Sequence, residues 1–437
     1  MKLARWKVVG LAGALALGYV ADGFSAQIKV SDETWANFGL QMKIWYKNLD
    51  KKSNSTSSGG WTQNEFSVGN AKIYFTGQVT PVFQFYGEFD QEKSNKDDTS
   101  VGEAGINLAF AKEFQVLAGK IRKSFTRAQL SSGYALLTPQ GYWRDPQGGL
   151  KAITDALKNT DGGLMIHGDL ADGMFRYRVG VYNEDRSNAT KFWNGNSSTG
   201  WTGFPKGSAI KMNDKKNFEW NARIEFTPTM LGFKPESAAT TTAKIGDTYL
   251  GSKDVFTIGL GYHTETHTPK YNATVGDLKR KGWTVDAMFE KKYGNLVPNL
   301  QIGYISLDKT HYYNRYQLIG STWTSPVVKK GDADIWYVTG QLLFDQVAWL
   351  GKPAIAFRYE KITGDGQWTN GTILKKDLTA ETFGLAFNYY IKGQAARISL
   401  GFDQTKYKDA LKYYLKNSNP KLEDSITDWY LYLQSQF

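Results

Sequence analysis

The 437-residue chain is 41% hydrophobic, with a mean hydropathy of −0.45 and one candidate apolar run. A bundle of membrane helices, each needing about 20 consecutive apolar residues, is therefore excluded. The absence of cysteine removes disulfides, thiolate metal centres and covalent haem attachment, and the only histidines are His167, His263, His267 and His311. Lys and Arg outnumber Asp and Glu 53 to 42, a net charge of +11 that favours anionic partners without bearing on fold.

The N-terminus reads as an export signal. Lys2, Arg5 and Lys7 precede an apolar run from Val8 to Val20, and the small residues Ala21, Gly23, Ser25 and Ala26 follow. Residues 1–26 are expected to be removed, with cleavage between Gly23 and Ala26, leaving 27–437 as one domain. Losing Lys2, Arg5, Lys7 and Asp22 leaves 50 basic against 41 acidic residues, so the mature chain keeps a charge of +9.

From there the chain alternates. Side chains of a strand point to opposite faces in turn, so a sheet with one apolar face reads apolar, polar, apolar. Phe175, Tyr177, Val179 and Val181 form one such row, and Trp220, Ala222, Ile224 and Phe226 the next. Phe256, Ile258, Leu260 and Tyr262 follow, then Trp283, Val285, Ala287 and Phe289. Ile355, Phe357 and Tyr359 continue the pattern, with Phe383, Leu385, Phe387 and Tyr389 and finally Ile398, Leu400 and Phe402. No charge interrupts these rows. The segments expected as strands are 36–47, 65–79, 82–92, 102–111, 114–121, 163–170, 174–184, 217–227, 254–265, 280–292, 299–308, 333–345, 352–362, 380–392, 396–407 and 426–437. That is sixteen strands, an even number.

A soluble sandwich also alternates. Two further features favour a membrane barrel. Aromatics such as Tyr46, Phe89, Trp220, Tyr262, Trp283, Tyr359 and Trp429 recur near strand ends, as interfacial girdles require. Short turns (Thr80-Pro81, Lys112-Glu113, Ala171-Asp172-Gly173, Gly393-Gln394-Ala395) alternate with long polar loops (48–64, 185–216, 363–379). The expectation is an all-β, transmembrane antiparallel β-barrel of 16 strands, closed because lipid offers no hydrogen bonds to an open edge. A cylinder of that size is wide enough for water. One connector, Pro228 to Lys253, is long where a short turn is expected.

The chain also resembles a known family. It ends in an alternating strand, Asp428-Trp-Tyr-Leu-Tyr-Leu-Gln-Ser-Gln-Phe437, which looks like the C-terminal signature of Gram-negative outer-membrane proteins. The stretch Val116-Leu-Ala-Gly-Lys-Ile-Arg-Lys-Ser-Phe-Thr-Arg-Ala-Gln-Leu-Ser-Ser132 is similar to a block of the phosphate-selective porin O and P family, departing from it at Lys123, where that block has proline. Residues 70–80, 163–170 and 175–183 resemble further blocks. The resemblance implies a sixteen-stranded homotrimeric porin in which the long segment after the fifth strand, 122–162, folds inward as a constriction loop.

The charges on the polar strand faces are mixed. Lys43, Lys72, Arg176, Arg178, Arg223, Arg358 and Arg397 stand against Glu88, Asp90, Asp169, Glu225, Asp286, Glu290, Glu360, Asp403 and Asp428. The segment 122–162 adds Arg122, Lys123, Arg127, Arg144, Lys151 and Lys158 against Asp145, Asp155 and Asp161. In a narrow throat, fixed cations replace the hydration an anion loses, and the arginine fork suits oxyanions. The candidate pore-lining, anion-binding residues are accordingly Arg122, Lys123, Arg127, Arg144, Arg176, Arg178, Arg223, Arg358, Arg397, Lys43 and Lys72. A competing reading makes the arginines ordinary lumen charges paired with Glu225, Glu360 and Asp403.

His263-Thr-Glu-Thr-His267 puts both imidazoles and Glu265 on one strand face, yet its place at a strand exit favours an exposed loop tip over a metal site. Lys406 to Lys416 reads as an external loop, not a nucleic-acid site. No catalytic motif is present, and no catalytic residue, metal ligand or cofactor is assigned. The functional expectation is an outer-membrane porin for passive diffusion of small hydrophilic solutes, preferring phosphate or similar oxyanions. Its expected partners are outer-membrane lipid, small anions, further copies of itself and a periplasmic binding protein or cytochrome. The alternatives are a sheath around an electron-carrying cytochrome and an outer-membrane hydrolase built on a barrel.

Overall fold

The computed structural model describes residues 26–51, 61–92, 100–143, 150–154, 157–183, 192–193, 217–236, 244–267, 277–418 and 425–436. The strands are β1 (Ala26–Lys29), β2 (Trp35–Lys51), β3 (Trp61–Gln78), β4 (Phe83–Glu92), β5 (Ser100–Ala109), β6 (Gln115–Arg122), β7 (Thr160–Leu170), β8 (Phe175–Asn183) and β9 (Phe192–Trp193). They continue as β10 (Phe218–Phe226), β11 (Val255–His267), β12 (Leu278–Glu290), β13 (Leu296–Ile319), β14 (Thr322–Phe344), β15 (Lys352–Thr369), β16 (Leu374–Lys392), β17 (Ala396–Lys408) and β18 (Ser425–Gln436). β1 pairs with β2, and the two-residue β9 pairs parallel with β13. The remaining sixteen form the wall, each antiparallel to its neighbours; β10 follows β8 directly, and β18 closes the circle on β2 with Gln434 opposite Lys43. Closure leaves the wall with no unpaired edge, the condition for a sheet in lipid.

The apolar rows read from the sequence all face outward. Leu260 is 53% exposed, Trp283 50% and Leu400 59%, whereas Asn221, Arg223, Glu225 and Asp286 are buried inside. An apolar belt on the outside of a closed sheet, with charge inside it, is the inverse of a water-soluble barrel and the arrangement a bilayer requires.

The expected short turns occur at one end of the cylinder. At Ala171, Asp172 and Gly173 the chain reverses through positive φ angles of 51°, 53° and 83°. The other end differs from expectation in two hairpins. β13 and β14 continue to a tight turn at Gly320, and β15 and β16 pair as far as Thr369 and Leu374, where loops were expected from 309 to 332 and from 363 to 379. Register shifts between Leu307 and His311, between Arg315 and Gln317, and between Gly364 and Gln367 break the alternation there. A bulge advances one strand by a residue, so a two-residue period does not carry across it. The stretch 406–416 is likewise no plain loop. A helix, Asp409–Ser418, follows β17, with Ala410 and Leu411 buried against Trp368, Leu378 and Tyr407.

The interior is partly filled. Phe125, Leu150, Ile153 and Leu157, from the segment after β6, pack on Ile305 and Leu307 of β13, Ile335 and Tyr337 of β14 and Ile362 of β15. On that side the inner wall is apolar where the segment covers it. The connector's described residues 244–254 also lie inward: Ile245 forms a parallel bridge with Ser131, and Glu290 of β12 accepts from the backbone N–H groups of Tyr249 and Gly251, each at 3.0 Å.

Candidate functional site

Two segments meet inside the cylinder. The first leaves β6 at Arg122 and forms one helical turn, Arg127–Leu130, whose N-cap Thr126 accepts from the Gln129 N–H while the Gln129 side chain accepts from the Thr126 N–H at 3.0 Å. This reciprocal box satisfies two N–H groups at the start of the turn. Its approach to the wall needs Gly261 of β11, where a Cβ would stand 2.1 Å from the Phe125 carbonyl oxygen. Beyond the turn the backbone runs past the opposite strands. Gln434 of β18 donates to the Tyr134 carbonyl at 3.0 Å, Arg397 of β17 to Leu136 at 2.6 Å, Asn388 of β16 to Leu137 at 2.7 Å and Arg358 of β15 to Gly141 at 2.6 Å. Backbone carbonyls that would be costly if buried bare thus meet inward donors.

The second segment is the connector. Its Glu236 pairs with the Arg127 guanidinium, which also donates to the Gly246 carbonyl at 2.8 Å and to Gln301 of β13 at 3.0 Å. Asp247 accepts from Ser131 Oγ at 2.5 Å and from Tyr142 Oη at 3.1 Å. Burial pushes the carboxyls of Glu236 and Asp247 above their ordinary range, even with the Arg127 charge beside them.

Most of the candidate cations are held in ion pairs. Arg178 meets Glu225 at 2.8 Å, and Arg223 meets Glu225 at 2.8 Å and Asp286 at 2.6 Å. Arg358 lies 2.9 Å from Asp403 and 3.4 Å from Glu360, so the pairing with Glu225, Glu360 and Asp403 is the one found. Arg176 meets Asp169 at 2.5 Å, and Lys123 pairs with Glu219 where both are buried. Arg397 stacks over Tyr432 and Tyr390, with its guanidinium carbon 5.3 and 5.7 Å from the ring centroids. Arg144 lies outside the described residues.

Lys43, Lys72 and Arg122 border open volume. They line a cavity of about 480 Å³ between the inward segment and β2 to β6, together with Glu88, Asp90, Glu103, Tyr134, Tyr142 and Trp143. Lys72 sits 2.9 Å from Glu88 and 3.1 Å from Asp90; Arg122 sits 2.9 Å from Glu103 and donates to the Gln129 and Ser131 carbonyls, both at 2.8 Å. The Lys43 ammonium donates to the Gly133 carbonyl at 2.6 Å and lies 4.3 Å from the Tyr134 ring centroid. Lys244 of the connector reaches the same group, 2.8 Å from Glu88 and 3.4 Å from Glu103. Sequence reasoning missed Glu103, Glu236, Lys244 and Asp247. The length of the connector was the available signal, since a short turn between barrel strands has no need of charged residues that far along.

The His263–His267 stretch is not an exposed tip. Both rings are fully buried on the inward face of β11: His263 Nδ1 lies 2.8 Å from Asn221 Oδ1, and His267 Nε2 2.9 Å from Glu265, which also pairs with Arg280. The strand continues through His267 instead of ending before it, so the inward row runs on. Among the described residues no His, Asp or Glu group is arranged to hold a metal.

Comparison with known proteins gives one family: the model for phosphate-selective porin O and P matches residues 37–294. A protein of Aquifex aeolicus (strain VF5) with no assigned role is 24% identical over 416 residues, covering 89% of this chain and 87% of its own. Among solved structures, the outer membrane channel DcaP of Acinetobacter baumannii aligns with a TM-score of 0.50 at 11% identity, over 94% of this chain and 99% of that one. Pseudomonas putida OprB aligns with a TM-score of 0.51 at 11% identity, over 93% and 94%. At that identity the two structures speak to fold alone.

Proposed function

Since the chain belongs to the phosphate-selective porin O and P family, we propose that this outer-membrane porin passes small hydrophilic solutes by passive diffusion and prefers small oxyanions such as phosphate. The observation that carries the reading is the cavity of about 480 Å³ along β2 to β6, the stretch of inner wall lined by Lys43, Lys72 and Arg122. Binding there stays shared and weak, as conduction requires, because the cations already have protein partners. The buried arginines serve to hold the internal segments in place, and the segment after β6 acts as the constriction.

The cytochrome sheath has little in its favour, because the internal segments occupy the space a second protein would need. Purified protein in a planar bilayer should give open, weakly voltage-dependent conductance, with reversal potentials in a salt gradient on the anion side. No conductance would sink the porin reading; cation preference would remove only the oxyanion preference. The reading also holds that residues 1–26 are an export signal and that three copies associate in the membrane. N-terminal sequencing of membrane-extracted protein, together with its mass in detergent, checks both; an intact Met1 or a monomeric mass counts against them.

A further inference from the structure

An alternating row of charge runs along the cavity, whose lining takes in all of the row but Lys244. Asp90 of β4 lies 3.1 Å from Lys72 of β3, Lys72 lies 2.9 Å from Glu88, and Glu88 lies 2.8 Å from Lys244. Lys244 in turn lies 3.4 Å from Glu103 of β5, which lies 2.9 Å from Arg122 at the end of β6. Five of these groups belong to the wall. Lys244 does not: it comes from the connector between β10 and β11 and stands between two carboxylates of β4 and β5. It is also the most open of the row, its side chain 21% exposed against 16% for Lys72 and 7% for Glu88.

Taken by itself, the wall here is balanced, with Glu88, Asp90 and Glu103 against Lys43, Lys72 and Arg122. Lys244 adds one cation to that balance and leaves the group positive. Without Lys244, Glu88 and Glu103 would face one position with no fixed cation in it, and such a position draws a mobile cation from solution. In a narrow cavity with low-dielectric walls a single fixed charge acts strongly, since little water intervenes to screen it.

We propose that Lys244 sets the sign of ion selectivity in this channel: its ammonium, fixed between Glu88 and Glu103, tips an otherwise balanced wall to net positive and makes the passage one for small anions. The assignment rests on the porin reading above. It places the decisive charge on the connector, not among the strand arginines.

Reversal potentials in a KCl gradient, measured on single channels in a planar bilayer, test it. Lys244→Gln should lower the chloride-to-potassium permeability ratio by about tenfold, the lower end of the enrichment a charged cleft produces. Lys244→Arg should keep the native ratio. Glu88→Gln should raise the ratio, and it leaves Lys72 its Asp90 and Lys244 its Glu103, so the fold is spared. Lys408→Gln, the same charge change at an exposed position beyond the cavity, should leave the ratio alone. An unchanged ratio in Lys244→Gln, or an equal shift in Lys408→Gln, overturns the assignment while the native conductance still stands for the porin. If Lys244→Gln fails to insert, Glu88→Gln decides alone, and an unchanged ratio there overturns it. If the native protein does not conduct, the porin reading falls and this assignment with it.

Discussion

Arg127→Ala should destabilise the folded protein by about 3–5 kcal/mol, the usual cost of removing one partner from a buried ion pair, and should raise single-channel conductance at neutral pH. The guanidinium pairs with Glu236 and donates to the Gly246 carbonyl and Gln301, so one side chain ties the connector, the inward segment and β13 together. Its own backbone N–H is a further tie, to Asp286 of β12 at 3.3 Å. Alanine keeps that last bond and loses the rest. Glu236 would then be a buried carboxylate with no cation, and Asp247 would lose the nearest one. The connector relieves this by moving toward water, which widens the lumen.

The pH dependence follows from the direction in which burial already displaces these groups. Both carboxyls sit above their ordinary range in the native protein, and losing Arg127 raises them further. As the pH falls through those raised values the carboxyls become neutral and can stay buried, so the excess conductance of Arg127→Ala should shrink in mild acid. A double substitution that adds Glu236→Gln should recover part of the lost stability, with a coupling between the two sites within the ~0.5–3 kcal/mol seen for contacting residues. Urea midpoints of refolded protein give the stabilities and bilayer recordings the conductance. Independent, additive effects at residues 127 and 236 would mean that the pair does not hold the connector.

The wall was legible in the sequence because one physical rule governs it. Each residue faces lipid or lumen by parity, so rows such as Phe256, Ile258, Leu260 and Tyr262 announce both the strand and its outward face. Legibility fails where parity fails. The bulges near His311 and Gly364 hid the outer parts of β13 to β16, and His267 was placed in a loop because the polar His-Thr-Glu-Thr-His run at the strand's end looks like an exposed tip. The candidate site was half legible. Charge type and face could be read, so Lys72, Arg223 and Glu225 were placed correctly on the inner wall, and pairing of the arginines with Glu225, Glu360 and Asp403 stood as an open alternative. What no period encodes is which cations face open space. That depends on where the internal segments lie, and their contacts join residues far apart in the chain, such as Arg127 to Glu236 and Gln434 to Tyr134.

Leu260→Arg is the sharpest test that the outward rows meet lipid. Leu260 sits at the middle of β11, opposite Ile224 of β10 and Val285 of β12, all three outward and well exposed. An arginine at the midplane of a membrane barrel costs about 2–4 kcal/mol, whereas the same residue near the interface costs about 0–1 kcal/mol. Thr266 shares the face of Leu260 but lies six residues along the strand, near the loop end, roughly 20 Å away at the rise of a strand. Thr266→Arg should therefore be nearly neutral while Leu260→Arg slows insertion and lowers the urea midpoint in lipid vesicles. Neither substitution touches the inner wall, so conductance through channels that do insert should match the native value for both. Equal, small costs at the two depths would mean that the face is wet along its whole length, as in a soluble barrel; a cost that follows depth requires a hydrocarbon layer centred near Leu260.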